Sequence, residues 1–358
     1  MGEGRRNEVI ANCNRFFGSG RKSVRDQLRE VAESKYAELK QDQYGSGGFV
    51  TVLEEEVAEL LGKEAAVFMP SGTMAQQIAL RIWCDHGASR RVSFHPKCHL
   101  EIHEQGAYRE LHQLESSLVG DPNRLFTLAD LAIVPDPVSA LLIELPQREI
   151  GGQLPSWEEL QAICGQAKSR GIKLHMDGAR LWECGPYYKR SYAEISEPFD
   201  SVYVSFYKIL AGLPGAILAG PTDFVKEARI WQRRHGGNLY QLSPNAIAAK
   251  LGMDRHLAQI PKYVAKASEF AKSLGALSGV KVVPSDPPTN MMHLHLRGSK
   301  EELEERALAI AEETGILLFA GLRPITEGWC GFELSVGDSG LGLEPDLVKS
   351  MFERVVGS

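Results

Sequence analysis

The stretch Ser201-Val-Tyr-Val-Ser-Phe-Tyr-Lys208-Ile-Leu-Ala-Gly-Leu-Pro-Gly215 places one charged side chain shortly after an apolar run. Valine and aromatic residues dominate the beginning of the run, and such residues favour a buried strand. Small residues and a proline follow Lys208, which is typical of a loop. The sequence therefore predicts that Lys208 stands just beyond the end of a buried strand.

A second charged group, His175-Met-Asp177-Gly-Ala-Arg180, closes another apolar run earlier in the chain. Pyridoxal phosphate needs an amine that forms a Schiff base and a carboxylate that keeps its ring nitrogen protonated. A lysine and an aspartate at the ends of two neighbouring strands meet both needs, so we predict this cofactor. The alternative interpretation is that Lys208 lies in a surface loop and Asp177 caps a helix.

Short apolar runs alternate with amphipathic helical stretches between residues 46 and 220. This alternation predicts a mostly parallel sheet that binds its ligand at the carboxyl ends of the strands. The predicted strands are Ala65–Phe68, Arg91–Phe94, Ala140–Glu144, Lys173–Met176, Ser201–Ser205 and Ala216–Ala219.

The pattern changes after about residue 245, where a long helical region is followed by short strands and two helices. The predicted strands there are Val280–Val283, Met291–Leu296, Leu317–Phe319 and Gly331–Val336. We therefore predict three parts. Residues 1–45 form an N-terminal helical segment that packs on the small domain, residues 46–245 form a large α/β domain, and residues 246–358 form a small α+β domain.

Length and composition are those of an ordinary globular enzyme. The 358 residues carry a formal charge of −6, which gives no electrostatic reason to expect a nucleic acid partner. No apolar run reaches the about 18 residues of a membrane span, and no signal-peptide pattern is present. The six cysteines show no CxxC or metal-ligand spacing. We expect a reducing, cytoplasmic setting with neither nucleic acid nor membrane as a partner.

The loop Pro70-Ser71-Gly72-Thr73 follows a predicted strand and opens a predicted helix. Backbone N–H groups at a helix N-terminus attract a phosphate dianion, and a glycine lets the backbone approach it closely. The hydroxyls of Ser71 and Thr73 can add hydrogen bonds. We predict that this loop holds the phosphate, although the same residues also suit a simple helix N-cap.

Three histidines, His95, His99 and His103, stand close together with Glu101 and Glu104. A metal site is one interpretation, but no further ligand cluster follows. We favour an imidazole that stacks on the cofactor ring, and His99 is the best candidate. A solvated helix face would account equally well for Glu101 and His103, while Glu104 is a candidate to orient a histidine.

The order of these motifs resembles the threonine aldolases, the β-eliminating-lyase branch of the fold-type-I pyridoxal phosphate enzymes. The resemblance covers about residues 44–245. It rests on Tyr44-Gly45, Leu53-Glu54, Gly62-Lys-Glu-Ala-Ala66, Pro70-Ser-Gly-Thr-Met-Ala75, His99, Glu104-Gln-Gly106, Gly151-Gly152, His175-Met-Asp-Gly-Ala-Arg-Leu181, Ser205, Lys208 and Gly236-Gly237.

The resemblance implies an α/β, fold-type-I PLP-dependent transferase-like fold, with a mostly parallel sheet and a small α+β C-terminal domain. It also implies roles for particular residues. Lys208 is expected to form the Schiff base, Asp177 to pair with the ring nitrogen and His99 to stack on the ring. Ser205 is expected to help Gly72 and Thr73 hold the phosphate. Arg180 would bind the substrate carboxylate or the ring hydroxyl.

The chain also departs from the family pattern where the family binds the substrate carboxylate. The segment Phe332-Glu-Leu-Ser-Val-Gly-Asp338 carries acids where the family has an arginine, and the region of the family's N-terminal serine reads Asn12-Cys-Asn-Arg-Phe-Phe-Gly18. A different cation is therefore needed for an α-amino acid. Arg148 is our first choice, because it follows a predicted strand end, and Arg323 and Arg15 are the alternatives.

The resemblance implies a PLP-dependent carbon–carbon lyase that cleaves Cα–Cβ of a β-hydroxy-α-amino acid such as L-threonine or L-allo-threonine. His99 or His103 could take the β-hydroxyl proton. A β-eliminating lyase or racemase, with Lys208 as the base, is the alternative within the same chemistry. A catalytically inactive PLP-binding scaffold is the alternative from another class. The resemblance also implies a homodimer or a homotetramer.

Overall fold

The computed structural model of the protein describes residues 3–20 and 22–357. Its α-helices are α1 Glu3–Asn12, α2 Val24–Ala32, α3 Gly48–Leu60, α4 Gly72–His86, α5 His99–His103, α6 Ala107–His112, α7 Leu128–Ala132, α8 Trp157–Ser169, α9 Gly185–Tyr188, α10 Tyr192–Ser196, α11 Thr222–Arg234, α12 Ser243–His256, α13 Ile260–Gly275, α14 Lys300–Thr314 and α15 Pro345–Val356. Its strands are β1 Ala65–Met69, β2 Arg91–Phe94, β3 Glu115–Leu118, β4 Ala140–Glu144, β5 Lys173–Gly178, β6 Ser201–Ser205, β7 Ala216–Gly220, β8 Val280–Val283, β9 Met291–Arg297, β10 Arg323–Thr326 and β11 Trp329–Ser335.

The larger of two compact units comprises residues 23–149 and 154–257. It contains a seven-stranded sheet in the order β1-β7-β6-β5-β4-β2-β3. All neighbouring strands are parallel except that β7 runs antiparallel to both β1 and β6. The prediction of a mostly parallel sheet is confirmed, and all six predicted strands are present.

The strand β3 was not predicted from the sequence. Its residues, Glu115-Ser-Ser-Leu118, are mainly polar, and the strand pairs with β2 alone at the sheet edge. An edge strand has one neighbour and a partly solvated surface, so it needs no apolar pattern. Its position follows from pairing and not from hydrophobic periodicity.

The smaller unit comprises residues 3–20, 22, 150–153 and 258–357. Its antiparallel four-stranded sheet has the order β10-β11-β9-β8. The predicted strand Leu317–Phe319 is wrong, since these buried residues form an irregular segment in which Leu317 packs in a cluster with Val9 and Leu308. The fourth strand is instead β10, whose Arg-Pro-Ile-Thr sequence lacks the pattern of a buried strand.

The N-terminal residues divide between the two units. The helix α1 belongs to the smaller unit, where Arg5 pairs with Glu312 of α14 at 2.9 Å. The segment from residue 23 belongs to the larger unit, where Tyr36 Oη donates to Asp254 Oδ2 at 2.9 Å. The predicted domain boundaries at residues 45 and 245 stay a prediction.

The buried Asp42 fixes the start of α12 within the larger unit. Its carboxylate accepts hydrogen bonds from the backbone N–H groups of Gly45, Leu242 and Ser243, at 3.0, 2.9 and 2.8 Å. The Ser243 hydroxyl donates to the same carboxylate at 2.7 Å. One side chain therefore satisfies donors from two chain segments that are remote in sequence.

We expect Asp42→Ala to lower the free energy of unfolding by about 3 kcal/mol or more, because it leaves several buried donors without an acceptor. Urea denaturation followed by circular dichroism measures this change. The matched control is Asp223→Ala, since the exposed Asp223 contacts Lys226 at the surface, and its effect should stay within about 0.5 kcal/mol. Equal effects of the two variants would contradict the role given to Asp42.

Candidate active site

The carboxyl ends of β4, β5 and β6 bring the main predicted residues together. Glu144 and Asp177 are register partners at the ends of β4 and β5, and Ser205 ends β6 just before Lys208. The Trp182 indole N–H donates to the Ser205 carbonyl at 2.9 Å and so anchors the end of β6. The predicted amine and carboxylate therefore lie at one edge of the sheet.

Lys208 is largely buried among charged neighbours. Burial lowers the pKa of its amine below the ordinary value, the Arg180 guanidinium lowers this pKa further, and Asp177 opposes them. Arg148 and Glu144 interact electrostatically with the same amine. A depressed pKa leaves more of the amine neutral near pH 7, which suits a nucleophile that must attack a carbonyl carbon.

Asp177 is buried and accepts two hydrogen bonds inside the larger unit. Its Oδ1 accepts from the Ala179 backbone N–H at 3.1 Å, and its Oδ2 accepts from the Gln76 side-chain amide. Gln76 was not predicted as a site residue. The chain offers one signal for it, because Gln76 lies one helical turn after Gly72 of the predicted phosphate loop.

His99 is held by a chain of buried side chains. Its Nδ1 lies 3.0 Å from Glu104 Oε1, and Glu104 Oε2 accepts from Gln77 Nε2 at 2.6 Å. The hydrogen bond with Glu104 raises the pKa of the His99 imidazole, and burial opposes this shift. Asp177 also raises this pKa, so His99 lies within electrostatic range of the carboxylate.

His103 belongs to a second cluster beside His99, and the two rings have centroids 5.0 Å apart. Its Nε2 lies 2.9 Å from Glu149 Oε1 and 3.4 Å from Arg148 Nη1. Arg148 Nη1 also donates to Glu149 Oε1 at 2.7 Å. The structure thus brings Arg148 near the site, with part of its charge balanced by Glu149.

No group of three or more His, Cys, Asp and Glu side chains that could hold a metal ion occurs in residues 3–20 and 22–357. The hydrogen bonds of His95 differ from those of His99 and His103, which both contact glutamate side chains. Its Nε2 contacts the carbonyl oxygens of Asp121 and Arg124, both at 3.0 Å. His95 therefore holds the loop that contains Asp121 and Arg124.

Glu144 was missed by the sequence analysis, although it is buried in the centre of the site. Its carboxylate accepts from the backbone N–H groups of His99 and Arg148, at 3.4 and 3.1 Å. The Gln147 side chain donates to it at 3.1 Å. Burial, and then the charge of Asp177, raise the pKa of Glu144 above its ordinary value. The signal in the sequence was its position at the end of a predicted strand.

The N-terminus of α4 has the features predicted for the phosphate loop. Ser71 caps the helix by accepting from the Met74 N–H at 3.3 Å, while Thr73 is exposed. A Cβ on Gly72 would lie 1.9 Å from Tyr203 Oη, so only glycine fits there. In the described part of the chain, the buried Ser205 hydroxyl has no hydrogen-bond partner.

These residues fit pyridoxal phosphate. The unpartnered Ser205 hydroxyl and the glycine at the helix N-terminus suit a phosphate group. The amine of Lys208 suits an aldehyde, the carboxyl group of Asp177 suits a pyridine nitrogen, and the imidazole of His99 suits a ring face. Arg180 and Arg148 both act electrostatically on Lys208, whereas Arg15 and Arg323 lie in the smaller unit and remain predicted alternatives.

A reversed β7 in an otherwise parallel sheet, with the lysine after β6 and the aspartate on β5, defines a fold-type-I pyridoxal phosphate enzyme. The model of the beta-eliminating lyase family matches residues 27–297. The chain therefore belongs to the threonine aldolase and beta-eliminating lyase family, whose members are PLP-dependent lyases. The predictions of fold class, cofactor and carbon–carbon lyase are confirmed.

Two solved structures resemble the whole chain. A "putative L-allo-threonine aldolase" from Listeria monocytogenes EGD-E is 42% identical, with a TM-score of 0.94 and 99% of both chains covered. A "putative aromatic amino acid beta-eliminating lyase/threonine aldolase" from Exiguobacterium sp. 255-15 is also 42% identical, with a TM-score of 0.93 and 99% of both chains covered.

A curated relative is similar over most of its length. The low-specificity L-threonine aldolase 1 of Arabidopsis thaliana is 28% identical over 306 residues, which is 83% of this chain and 85% of the relative. The match therefore extends beyond a single motif.

We expect Lys208→Ala to abolish the visible absorption band that the protein gains when pyridoxal phosphate is added, because the band requires a covalent bond to the lysine amine. Absorption spectra after gel filtration measure the effect. Lys226→Ala is the control, since this lysine pairs with Asp223 at the surface. A band that persists in the Lys208 variant would contradict the assignment.

Proposed function

We propose that this enzyme cleaves the Cα–Cβ bond of a β-hydroxy-α-amino acid, with L-threonine and L-allo-threonine as substrates and glycine and an aldehyde as products. The main support for this proposal is the similarity of the whole chain, at 42% identity, to the Listeria monocytogenes protein named as a putative L-allo-threonine aldolase. The positions of Lys208 and Asp177 at the carboxyl edge of the sheet support the proposal, because this chemistry needs both groups.

Bound pyridoxal phosphate supplies a ring that accepts the electron pair of a bond broken at Cα. Lys208 would hold the cofactor through its side-chain amine. Asp177 would pair with the ring nitrogen, and His99 would pack against the ring. The N-terminus of α4, with Ser71, Gly72 and Thr73, holds the phosphate together with Ser205.

A base must remove the proton of the substrate β-hydroxyl. The two candidates are His99, which Glu104 orients, and His103, which Glu149 orients at 2.9 Å. Each imidazole contacts a carboxylate, which stabilises the imidazolium formed when the base takes a proton.

The substrate carboxylate needs a cation, and Arg148 and Arg180 are the proposed groups. Both lie close enough to lower the pKa of Lys208, so both contribute positive potential at the site. Glu149 contacts Arg148 at 2.7 Å and limits its net charge. A guanidinium that is oriented by one carboxylate can still donate its remaining N–H groups to a second one.

A β-elimination is the second candidate reaction. It is supported by the Exiguobacterium protein, which is also 42% identical to this chain and whose name includes an aromatic amino acid beta-eliminating lyase. In that reaction the amine of Lys208 would act as the base at Cα, and the β-substituent would leave.

We propose a homodimer or a homotetramer in the cytoplasm. The exposed side chains of Tyr44 and Tyr240 support a subunit interface there. Their rings are in edge contact, with centroids 5.5 Å apart.

The six cysteines are buried free thiols, which supports a reducing compartment. In the described part of the chain, no helix is both long and apolar enough to cross a membrane.

The first test supplies PLP-loaded protein with L-threonine, L-allo-threonine and an aromatic L-amino acid that carries a β-leaving group. We expect acetaldehyde and glycine from the two threonine isomers, and alcohol dehydrogenase with NADH measures the acetaldehyde. Ammonia without acetaldehyde would favour β-elimination. A protein that binds the cofactor and turns over none of these compounds would contradict the aldolase proposal.

A second test separates the two candidate bases. Because Glu104 raises the pKa of His99, Glu104→Gln should move the titration of His99 to lower pH, as measured by NMR. A base acts only when neutral, so activity rises with pH through its pKa. If His99 is the base, the acidic limb of kcat/KM moves to lower pH with the NMR titration. An unmoved limb would assign the role to His103, and Glu110→Gln serves as the exposed control.

A further inference from the structure

A row of buried polar side chains connects the interior of the larger unit to Asp177. The Trp83 indole Nε1 donates to Ser201 Oγ at 2.8 Å, and Ser201 Oγ lies 2.8 Å from His175 Nδ1. His175 Nε2 lies 2.7 Å from Gln76 Oε1, and Gln76 Nε2 donates to Asp177 Oδ2. Each of the five side chains is at most 5% exposed. We call these five residues the Asp177 relay.

The spacing of the residues places the relay between a helix and the sheet. Gln76 and Trp83 are seven positions apart on α4, so they lie on the same face of the helix, two turns apart. His175 and Asp177 are two positions apart on β5 and point to the same face of the sheet. Ser201 is the register partner of His175 on β6. Three elements therefore supply one continuous hydrogen-bonded row.

Donor and acceptor chemistry gives the relay a direction. An indole N–H can only donate, so Ser201 Oγ accepts from Trp83 and can pass its own hydrogen to His175 Nδ1. His175 then carries its hydrogen on Nε2 and donates to Gln76 Oε1. The Gln76 amide nitrogen consequently faces Asp177, and the row ends on a group that only accepts when ionised.

The opposite direction is unfavourable. A hydrogen on His175 Nδ1 would leave Nε2 as an acceptor facing Gln76 Oε1. Rotating the Gln76 amide by about 180° would place its NH2 group toward His175 Nε2 and remove this contact between two acceptors. The amide oxygen would then face Asp177 Oδ2. Two acceptors at hydrogen-bond distance repel unless the carboxyl group is protonated. The direction of the relay and the ionisation of Asp177 are therefore coupled.

The central imidazole stays neutral at ordinary pH. Burial lowers the pKa of His175 to about 3, and a hydrogen bond with the Ser201 backbone opposes this shift. A neutral imidazole can donate from one nitrogen and accept at the other at the same time. The relay therefore keeps its direction across the pH range in which an enzyme of this family would work.

We propose that His175 and Gln76, oriented by Trp83 and Ser201, are positioning residues that hold Asp177 ionised and thereby keep the pyridine nitrogen of the cofactor protonated. The proposal rests on the cofactor role of Asp177 and does not depend on the identity of the substrate. It assigns a function to four buried polar residues that make no part of the phosphate loop, the histidine clusters or the arginine pair.

The first measurement is the tautomer of His175 in the protein without cofactor, by long-range ¹H–¹⁵N NMR. We expect the hydrogen on Nε2 at every pH from mildly acidic to alkaline. Ser201→Ala should weaken this preference, because Nδ1 loses its donor while Gln76 Oε1 still faces Nε2. Ser93→Ala is the matched control, since Ser93 is another buried strand serine, whose hydroxyl donates to the Ser117 carbonyl at 3.0 Å. A hydrogen on Nδ1 in the wild-type protein would overturn the proposal.

The second measurement is the ¹⁵N chemical shift of ring-labelled pyridoxal phosphate bound to the protein. We expect a protonated ring nitrogen in the wild-type protein and a partly deprotonated one in Gln76→Leu, with kcat lower by about tenfold or more, because a hydrogen bond to a charged group is lost. Ser201→Ala should shift the same signal less, and it serves if Gln76→Leu fails to fold. An unchanged ring nitrogen in both variants would overturn the proposal.

The two measurements separate this proposal from the proposed reaction. If none of the amino acids is cleaved while the ring nitrogen responds to Gln76→Leu, only the reaction assignment fails. If the wild-type protein binds no cofactor, the proposed reaction fails, and the tautomer of His175 still decides whether the relay has its inferred direction.

Discussion

The structure depends on how two carboxylates are accommodated side by side at a buried edge of the sheet. Glu144 and Asp177 are register partners on adjacent parallel strands, and both are buried. Burying charge is costly unless hydrogen bonds or opposite charges compensate. Backbone N–H groups of His99 and Arg148 reach Glu144, while Gln76 and the Ala179 N–H reach Asp177. The carboxylates thus hold in place the segments that carry the other site residues.

The cations that we propose for the substrate carboxylate lie in the same unit as these two carboxylates. His103, Arg148 and Glu149 are in mutual contact, with distances from 2.7 to 3.4 Å. Arg180 lowers the pKa of Lys208, and Asp177 raises it. Arg180 and Arg148, which we propose for the α-carboxylate, both act electrostatically on the Lys208 amine in the larger unit.

The accuracy of the sequence-based predictions followed the strength of the physical signal. Buried strands such as β4 and β6 were located to the residue, because valine, leucine and isoleucine leave an unmistakable apolar run. The polar edge strands β3 and β10 were missed, and Leu317–Phe319 was mistaken for a strand, because irregular segments can also be buried. Lys208, Asp177 and His99 were predicted as site residues because pyridoxal phosphate chemistry requires an amine, a carboxylate and a group that stacks on the ring. Gln76 and Glu144 were missed because their roles depend on partners remote in sequence.

The order of the buried strands and the helices between them follows from local periodicity. The placement of a lysine and an aspartate after apolar runs, and the face shared by Gln76 and Trp83, follow from it as well. The pairing of β4 with β5, the contact of Arg148 with Glu149 and the direction of the Asp177 relay follow only from the folded chain. The reason is physical. Periodicity acts over neighbouring residues. Ionisation and hydrogen-bond direction depend on residues that are remote in sequence, such as Gln76 and Asp177, which are 101 positions apart.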